Sequence, residues 1–323
     1  MRTGAARGHQ GYFHEAALYS SDDELLEIVI PFLAEGVAAG EPTLVVLGEQ
    51  REELVRRAMS DDCGVVFMSS TQYTRPASAI KRYRELLAGH VAAGARQIRA
   101  VGEVPHPGTG APWGWWSRYE AAVNHAYQDF PLWGVCPYDT RVTPDEVLED
   151  VVRTHPRFVT ADGRHVPNAR YELPVDFLVR PASVIDSLEL SPPVLELTDP
   201  LPAVARHAVI AASGVTCLDT GQVDDMVFAA SEVVSNALRY GRPPVRLRLW
   251  TAPDRLVLTV TDQGKGPDNP FVGFLPEENT CSAGFGLWIT NQICDYVELD
   301  RTEDGFTVRL VVGTPHLVSR PSR

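Results

Sequence analysis

Residues 256–266 read LVLTVTDQGKG, and this stretch decides the fold of the second half of the chain. Its first six residues are all β-branched or aliphatic, which predicts a buried strand that ends directly before Asp262. A carboxylate at a strand end can accept a hydrogen bond from an amino group, such as the exocyclic amine of adenine. Gly264 and Gly266 permit unusual backbone angles and let the main chain approach a ligand closely. Ordinary hairpin turns also contain D-x-G, so the stretch needs support from its surroundings.

Two further patterns flank this strand. Upstream, Glu232 and Asn236 are four residues apart on a helix predicted over residues 223–240, so they share one helix face. The same spacing is typical of a solvated helix face. Downstream, the sequence GFGL at residues 284–287 begins a second predicted helix. Glycines at that place expose backbone amides of a helix amino terminus, which suit phosphate oxygens.

The order and spacing of the three patterns are more specific than any one of them. Asp262 follows Asn236 by 26 residues, and Gly284 follows Gly264 by 20. The arrangement resembles the N, G1 and G2 boxes of the GHKL ATPases, a superfamily of histidine kinases, gyrase-type ATPases and anti-sigma serine kinases. The resemblance covers about 120 residues. It implies an α+β sandwich of the Bergerat type, with ATP and Mg²⁺ as cofactors.

The resemblance also implies roles for single residues. Asn236 is expected to hold the Mg²⁺ that bridges the ATP phosphates, and Glu232 is the candidate general base. Asp262 is expected to bind the adenine amine, with Thr307 supporting the same end of the site. Residues 267–283 are expected to form a mobile lid. The other expected nucleotide contacts are Gly264, Gly266, Gly284, Phe285, Gly286 and Leu287.

Within the superfamily, the chain looks most like the serine kinases that bind a sigma factor and phosphorylate an antagonist. A histidine kinase needs a phosphoacceptor histidine on a dimerising helix, but His155 precedes a helix-ending proline and His207 falls inside the ATPase region. A gyrase-type ATPase needs a transducer domain, and only 11 residues follow Val312. One departure is Tyr240, where many anti-sigma kinases carry histidine, so catalytic competence is less firmly implied than ATP binding.

The first half of the chain has a different pattern of apolar segments. Short apolar runs at 43–47, 65–68, 97–101 and 131–136 alternate with helical stretches, which predicts a doubly wound, parallel α/β domain. Residues 1–10 are predicted to be a loose tail. Residues 157–193 contain five prolines and little periodicity, which predicts an extended tail of this domain followed by a linker over residues 178–192.

His14, the sequence CPYD at 136–139 and THP at 154–156 resemble the MEDS domain, a sensory module of methylotroph and methanogen regulators with a RecA-like fold. The resemblance covers roughly residues 11–159. There is no G-x-x-x-x-G-K-[ST] sequence, so this domain is not expected to hydrolyse ATP. Ligands bind at the strand ends of open α/β sheets. The candidate sensory residues are therefore His14, Glu103, His106, Cys136, Tyr138 and Asp139, although a buried structural role is an alternative for each.

Composition narrows the class of protein. The net charge of −13 argues against a nucleic-acid surface, which would be basic. The five cysteines have no CxxC spacing, and no zinc pattern occurs among them and the nine histidines, so we expect reduced thiols in a cytoplasmic protein. Neither a signal peptide nor an apolar run long enough for a membrane span is present.

These observations predict a sensory domain over residues 11–177, a linker over 178–192, an ATPase domain over 193–313 and a short tail over 314–323. The favoured hypothesis is an anti-sigma factor with serine/threonine kinase activity toward an antagonist, regulated by an unknown small ligand of the sensory domain. The alternatives are a non-catalytic, nucleotide-gated binding protein and the ATPase half of a split histidine kinase. Protein partners are expected, nucleic acid and membrane are not, and a homodimer is compatible with the family resemblance.

Overall fold

The computed structural model describes residues 2–60, 64–69, 75–107, 113–182, 184–276, 285–302 and 305–320. The chain divides into two units. The first comprises Met1–Thr74 with Ala79–Phe177, and the second comprises Arg75–Ser78 with Leu178–Arg323. Within the described ranges, no helix has both the length and the apolar character needed to cross a membrane.

A seven-stranded sheet organises the first unit, in the order β3-β2-β4-β5-β1-β6-β7. All its pairings are parallel except that of β6 with β7. The strands are β1 (Phe13–Tyr19), β2 (Thr43–Val46), β3 (Val66–Phe67), β4 (Ile98–Gly102), β5 (Leu132–Asp139), β6 (Arg157–Val159) and β7 (His165–Pro167). The helices are α1 (Asp22–Ala38), α2 (Glu49–Ala58), α3 (Pro76–Ala92), α4 (Trp113–Ala126), α5 (Asp145–Thr154) and α6 (Pro174–Leu178).

The predicted parallel sheet is confirmed, since the four apolar runs correspond to β2, β3, β4 and β5. Such strands are nearly continuously hydrophobic because helices cover both faces of a parallel sheet. All four residues of β2 are buried, for example. The RecA-like class stays a prediction.

Strand β1 was not predicted, although it lies inside the sheet between β5 and β6. Its sequence, FHEAALY, places two ionisable residues in the core, which hides the strand from a hydropathy pattern. Glu15 is fully buried and accepts hydrogen bonds from Trp133 Nε1 at 2.8 Å and from His165 Nδ1 at 2.9 Å. These partners satisfy the carboxylate, so its burial is tolerated.

Residues 2–10 are not the loose tail that their polar sequence predicted. Arg2 donates hydrogen bonds to the side chain of Gln97 and to the carbonyl oxygen of Leu132, each at 2.8 Å. Ala6, in a short 3₁₀ helix, is fully buried. The segment therefore belongs to the packed first unit.

An antiparallel sheet covered by helices forms the second unit, with the strand order β12-β13-β11-β10-β9. The strands are β9 (Leu195–Thr198), β10 (Arg246–Ala252), β11 (Arg255–Asp262), β12 (Tyr296–Thr302) and β13 (Gly305–Gly313), and the helices are α7 (Pro202–Ser213), α8 (Thr220–Tyr240) and α9 (Phe285–Ile293). A capping box begins α8, because Asp219 and Gln222 accept hydrogen bonds from each other's backbone amides. Buried side chains of α8, such as Val233 and Val234, pack with Leu258 of β11 in one apolar core. This is the α+β arrangement that the sequence predicted.

The segment predicted as a linker is instead part of the second unit. Strand β8 (Val184–Asp186) pairs antiparallel with β14 (Leu317–Ser319), which also gives structure to the predicted carboxyl-terminal tail. The fully buried Asp186 binds the Arg255 guanidinium at 3.2 Å. The proline-rich composition predicted irregular backbone, but it carried no information on these long-range polar contacts.

Candidate functional site

A cavity of about 300 Å³ lies in the second unit, with walls from α8, α9, β11, β13 and the loop that follows β11. Asn236, Tyr240, Asp262 and Asp268 supply its polar side chains. Among the described residues that line it, none is a lysine or an arginine. The rest of the lining is Val233, Ala237, Gly241, Val260, Gly266, Pro267, Val272, Leu287, Phe306 and Val308.

Asp262 is held in place at the end of β11 and is buried. Its Oδ1 accepts hydrogen bonds from the backbone amides of Gly264 at 2.6 Å and Arg242 at 3.1 Å. Among the described residues, none donates a hydrogen bond to Oδ2, so this oxygen can accept one from a ligand. Gly241 was not among the predicted residues. Its backbone lies so close to Asp262 that a Cβ on Gly241 would be 2.4 Å from Asp262 Cγ, which explains why a glycine occupies this position.

Glu232, the other carboxylate of the predicted site, lies beside the first turn of α9. A Cβ built on Gly286 would lie 2.0 Å from Glu232 Oε2, so only glycine fits there without moving that side chain. Glu232 and Asn236 both lie on α8, and Asn236 lines the cavity. The fold thus places the Glu232 carboxylate beside the first turn of α9 and the Asn236 amide in the adjoining cavity wall.

Gly266 satisfies two requirements at once. Its φ of +72° is one that other residues rarely adopt, and a Cβ would lie 2.3 Å from the Phe306 ring. The loop can therefore lie directly against β13. The D-x-G-x-G pattern here reflects steric demands that an ordinary turn does not make.

Two family models match the chain, each almost entirely within one of the two structural units. Residues 13–156 match the family model "MEDS: MEthanogen/methylotroph, DcmR Sensory domain", and residues 197–312 match that of the histidine kinase-like ATPase domain. The chain contains a MEDS domain followed by a histidine kinase-like ATPase domain. No curated protein matches the chain in sequence.

Two solved structures are similar over part of the chain. The RsbU and RsbW domains of Rv1364c from Mycobacterium tuberculosis share 20% identity, over 41% of this chain and 34% of that one, with a TM-score of 0.28. The histidine kinase domain of the E. coli osmosensor EnvZ shares 23% identity, over 41% of this chain and 95% of that one, with a TM-score of 0.24. The alignment thus spans about a third of the mycobacterial chain.

Four other predictions for the ATPase domain have different outcomes. Leu287 lines the cavity, whereas Phe285 is half exposed and packs its ring against Trp288, with centroids 5.4 Å apart. Gly284 lies outside the described residues, as does the second part of the predicted lid, residues 277–283.

Thr307 does not support the cavity, contrary to the prediction. Side chains alternate across a strand, and the neighbours Phe306 and Val308 are the ones that line the cavity. Thr307 pairs with Thr261 of β11, and their hydroxyl oxygens are 2.8 Å apart. Thr307 therefore lies on the opposite face of the sheet from the residues that line the cavity.

In the MEDS domain, Glu103, His106 and Asp139 lie near the carboxyl ends of the parallel strands, around Arg51. Arg51 forms an ion pair with Glu103 at 3.0 Å. Burial raises the pKa of Glu103, although the charge of Arg51 opposes this shift. Burial, together with the positive charge of Arg51, lowers the pKa of His106 to about 4. A cavity of about 270 Å³ at this edge is lined by Tyr19, Asp22, Gln50, Arg51, Glu53, Leu54, Arg57, Asp139 and Arg141.

The other candidate sensory residues lie in a buried polar cluster. His14 and Cys136 are together there, with His14 Nε2 3.4 Å from Cys136 Sγ, and Tyr138 donates a hydrogen bond to Glu120 Oε1 at 2.7 Å. Glu120 and His155 complete the cluster. The spacing of the histidines and cysteines along the chain shows no zinc pattern, and these four side chains come together only in the folded structure.

Proposed function

We propose that the chain is an Mg·ATP-dependent regulatory kinase of the anti-sigma type. Its ATPase domain would bind a sigma factor or another regulator and phosphorylate a serine or threonine of a protein antagonist. The observation that carries the proposal is the cavity beside α8, with Asn236 and Asp262 in its wall and Glu232 at the adjoining helix terminus. The match to the histidine kinase-like ATPase domain supports nucleotide binding in general.

The cavity suits a purine at one end. Val260, Val308 and Phe306 give it apolar walls, while Asp262 keeps one carboxylate oxygen available for an exocyclic amine. The absence of a cation among the described lining residues fits a nucleotide that brings its own magnesium. Asn236 would hold that ion through its side-chain oxygen.

Bound Mg·ATP would supply the phosphoryl group, and the chain's own residues would position the acceptor and move its proton. Glu232 would accept the proton of the attacking serine or threonine hydroxyl. Gly286 keeps the space around that carboxylate open, because any side chain there would displace it. The first turn of α9 would present backbone amides to phosphate oxygens.

The MEDS domain would supply the regulation. Its strand-end cavity, with Arg51, Asp139 and Arg141 in the lining, is the proposed place for a small ligand. Such a ligand changes the output only if it binds one arrangement of the protein more tightly than another. A homodimer and a cytoplasmic location are part of this proposal.

The first test is a calorimetric titration of the full chain with ATP, with and without Mg²⁺. Asn236→Ala should weaken magnesium-dependent binding by at least about tenfold, which is about 1.4 kcal/mol. The matched control is Asp224→Ala, an exposed position on the same helix, which should bind like the wild type. Equal affinity of the wild type and Asn236→Ala would refute the proposed site.

The second test separates the kinase from its alternatives. Glu232→Gln should retain ATP binding and lose transfer of acid-stable phosphate to a protein substrate. Unchanged control of the partner by Glu232→Gln would favour a nucleotide-gated binding protein. Acid-labile phosphate on a partner would favour a split histidine kinase.

A further inference from the structure

Four buried side chains from distant parts of the sequence converge inside the MEDS domain. They are His14 on β1, Glu120 on α4, Cys136 on β5 and His155 directly after α5. One ligand atom from each lies within 4.8 Å of all the others. We call this set the HECH cluster.

The outer atoms of the HECH cluster are fixed by hydrogen bonds, which aim the inner atoms at one another. His14 Nδ1 donates to Asn124 Oδ1 at 3.0 Å, and His155 Nδ1 donates to the Val151 carbonyl oxygen at 2.9 Å. Asn124 can only accept there, because its amide nitrogen donates to the carbonyl oxygen of Thr154. Both imidazoles therefore present the lone pair of Nε2 inward. Such outer partners are characteristic of histidines that bind metals.

Two of the atoms that point into the cluster are unsatisfied among the described residues. Glu120 Oε2 and His155 Nε2 are fully buried, and neither has a hydrogen-bond partner among the described residues. A buried polar atom without a partner destabilises the folded protein. These two atoms lie 3.5 Å apart, close enough for one ligand to bind both.

Three of the six separations between the ligand atoms are close to those around a tetrahedral metal. Bond lengths of about 2.0–2.3 Å to N, O and S ligands place tetrahedral ligand atoms about 3.3–3.6 Å apart. His14 Nε2 lies 3.4 Å from Cys136 Sγ and 3.7 Å from Glu120 Oε2, and His155 Nε2 lies 3.5 Å from Glu120 Oε2. We propose that the HECH cluster binds one divalent transition metal, Zn²⁺, through His14, Glu120, Cys136 and His155.

The charges also balance. A neutral imidazole is the form that binds a metal, and the outer hydrogen bonds place the proton of each ring on Nδ1, away from the cluster. A thiolate at Cys136 and a carboxylate at Glu120 would contribute two negative charges, which neutralise Zn²⁺ in the core. Nitrogen and sulfur donors favour zinc over magnesium or calcium, which prefer oxygen ligands.

Four protein ligands complete a tetrahedral shell and leave no open position. The site is therefore structural rather than catalytic. It connects neighbouring strands β1 and β5 of the sheet with α4 and with the end of α5. Zinc binding would thus be part of the folding free energy of the MEDS domain.

The test uses the full chain, stripped of metal and then reconstituted with Zn²⁺ or Co²⁺. We expect about one zinc per chain by mass spectrometry, and a melting temperature of the MEDS transition that falls with chelator and recovers with zinc. Co²⁺ should give intense tetrahedral d–d bands and a thiolate charge-transfer band. Cys136→Ser should lose that band and weaken zinc binding at least about tenfold.

The matched control is Cys294→Ser, a buried free cysteine of the ATPase domain, which should keep both the band and the affinity. The proposal is overturned if the wild type takes up no zinc and shows no thermal shift. It is equally overturned if Cys136→Ser keeps the thiolate band. These readouts do not involve ATP, so they stand apart from the proposed kinase activity.

Discussion

Replacing Asp186 by alanine tests whether residues 178–192 belong to the ATPase domain. The Asp186 carboxylate is fully buried, and it accepts hydrogen bonds from Arg255 Nε at 3.2 Å, Leu188 N at 3.0 Å and His316 N at 3.0 Å. Asp186→Ala leaves a buried guanidinium without this partner. Removing one member of a buried ion pair costs about 3–5 kcal/mol. The nearby Asp254 still contacts Arg255 at 2.9 Å, so we expect the lower end of this range.

The matched control is Glu196→Ala, which removes an ion pair of similar geometry at the surface. Arg248 and Glu196 are 3.1 Å apart with their side chains 44% and 43% exposed, so this variant should cost about 0–1 kcal/mol. In a domain of this size, about 1 kcal/mol shifts the melting temperature by roughly 2–4 °C. Calorimetry should therefore show a fall of at least about 6 °C for Asp186→Ala and of at most about 4 °C for Glu196→Ala.

Hydrogen exchange of peptides from residues 184–190 provides a local readout in the same samples. Slow exchange in the wild type and faster exchange in Asp186→Ala would support the packed arrangement. If both variants melt alike and these peptides exchange like an unstructured chain, the segment is the linker that its composition predicted.

Two further predictions concern the cavity beside α8, the proposed ATP site. Gly286→Ala should displace the Glu232 carboxylate, because the added Cβ would lie 2.0 Å from its Oε2. Phosphotransfer to the protein substrate should then fall at least about tenfold, while the ATP affinity measured by calorimetry changes little. Phe306→Ala should weaken ATP binding at least about tenfold, whereas Thr307→Ala on the opposite face should change the dissociation constant less than about twofold. Equal effects of the last two variants would show that the strand register is wrong.

Part of the lining of the cavity beside α8 was predictable because the constraints on it are local. Gly264, Gly266 and Gly286 each lie where a side chain would collide with a neighbour, and such demands leave glycines at fixed places in the sequence. Asp262 is the last residue of its strand, so its position at the strand end could also be inferred. Thr307 could not be placed, because a pattern of letters does not reveal which face of a strand each residue occupies until the pairing partner is known.

The MEDS domain was less predictable because its polar core is assembled from distant segments. His14 and His155 are 141 positions apart, and no spacing rule connects them. Strand β1 was missed for the same reason, since His14 and Glu15 interrupt its apolar pattern and find their partners only in the folded sheet. A rule based on local hydropathy counts these residues as exposed.

The two groups of sensory candidates are suited to different tasks. The HECH cluster is almost completely buried and, as a four-ligand metal site, has no open position, so it would hold the sheet together rather than respond to a signal. The strand-end cavity has exposed charged groups, among them Arg141, which is bound to Asp139 at 2.8 Å and to Asp22 at 2.6 Å. A ligand that enters there has to compete with these ion pairs and can thereby change the positions of β1 and β5 at their carboxyl ends. Within the proposed function, the signal is therefore expected at the strand-end cavity, and zinc would set the stability of the sheet that carries it.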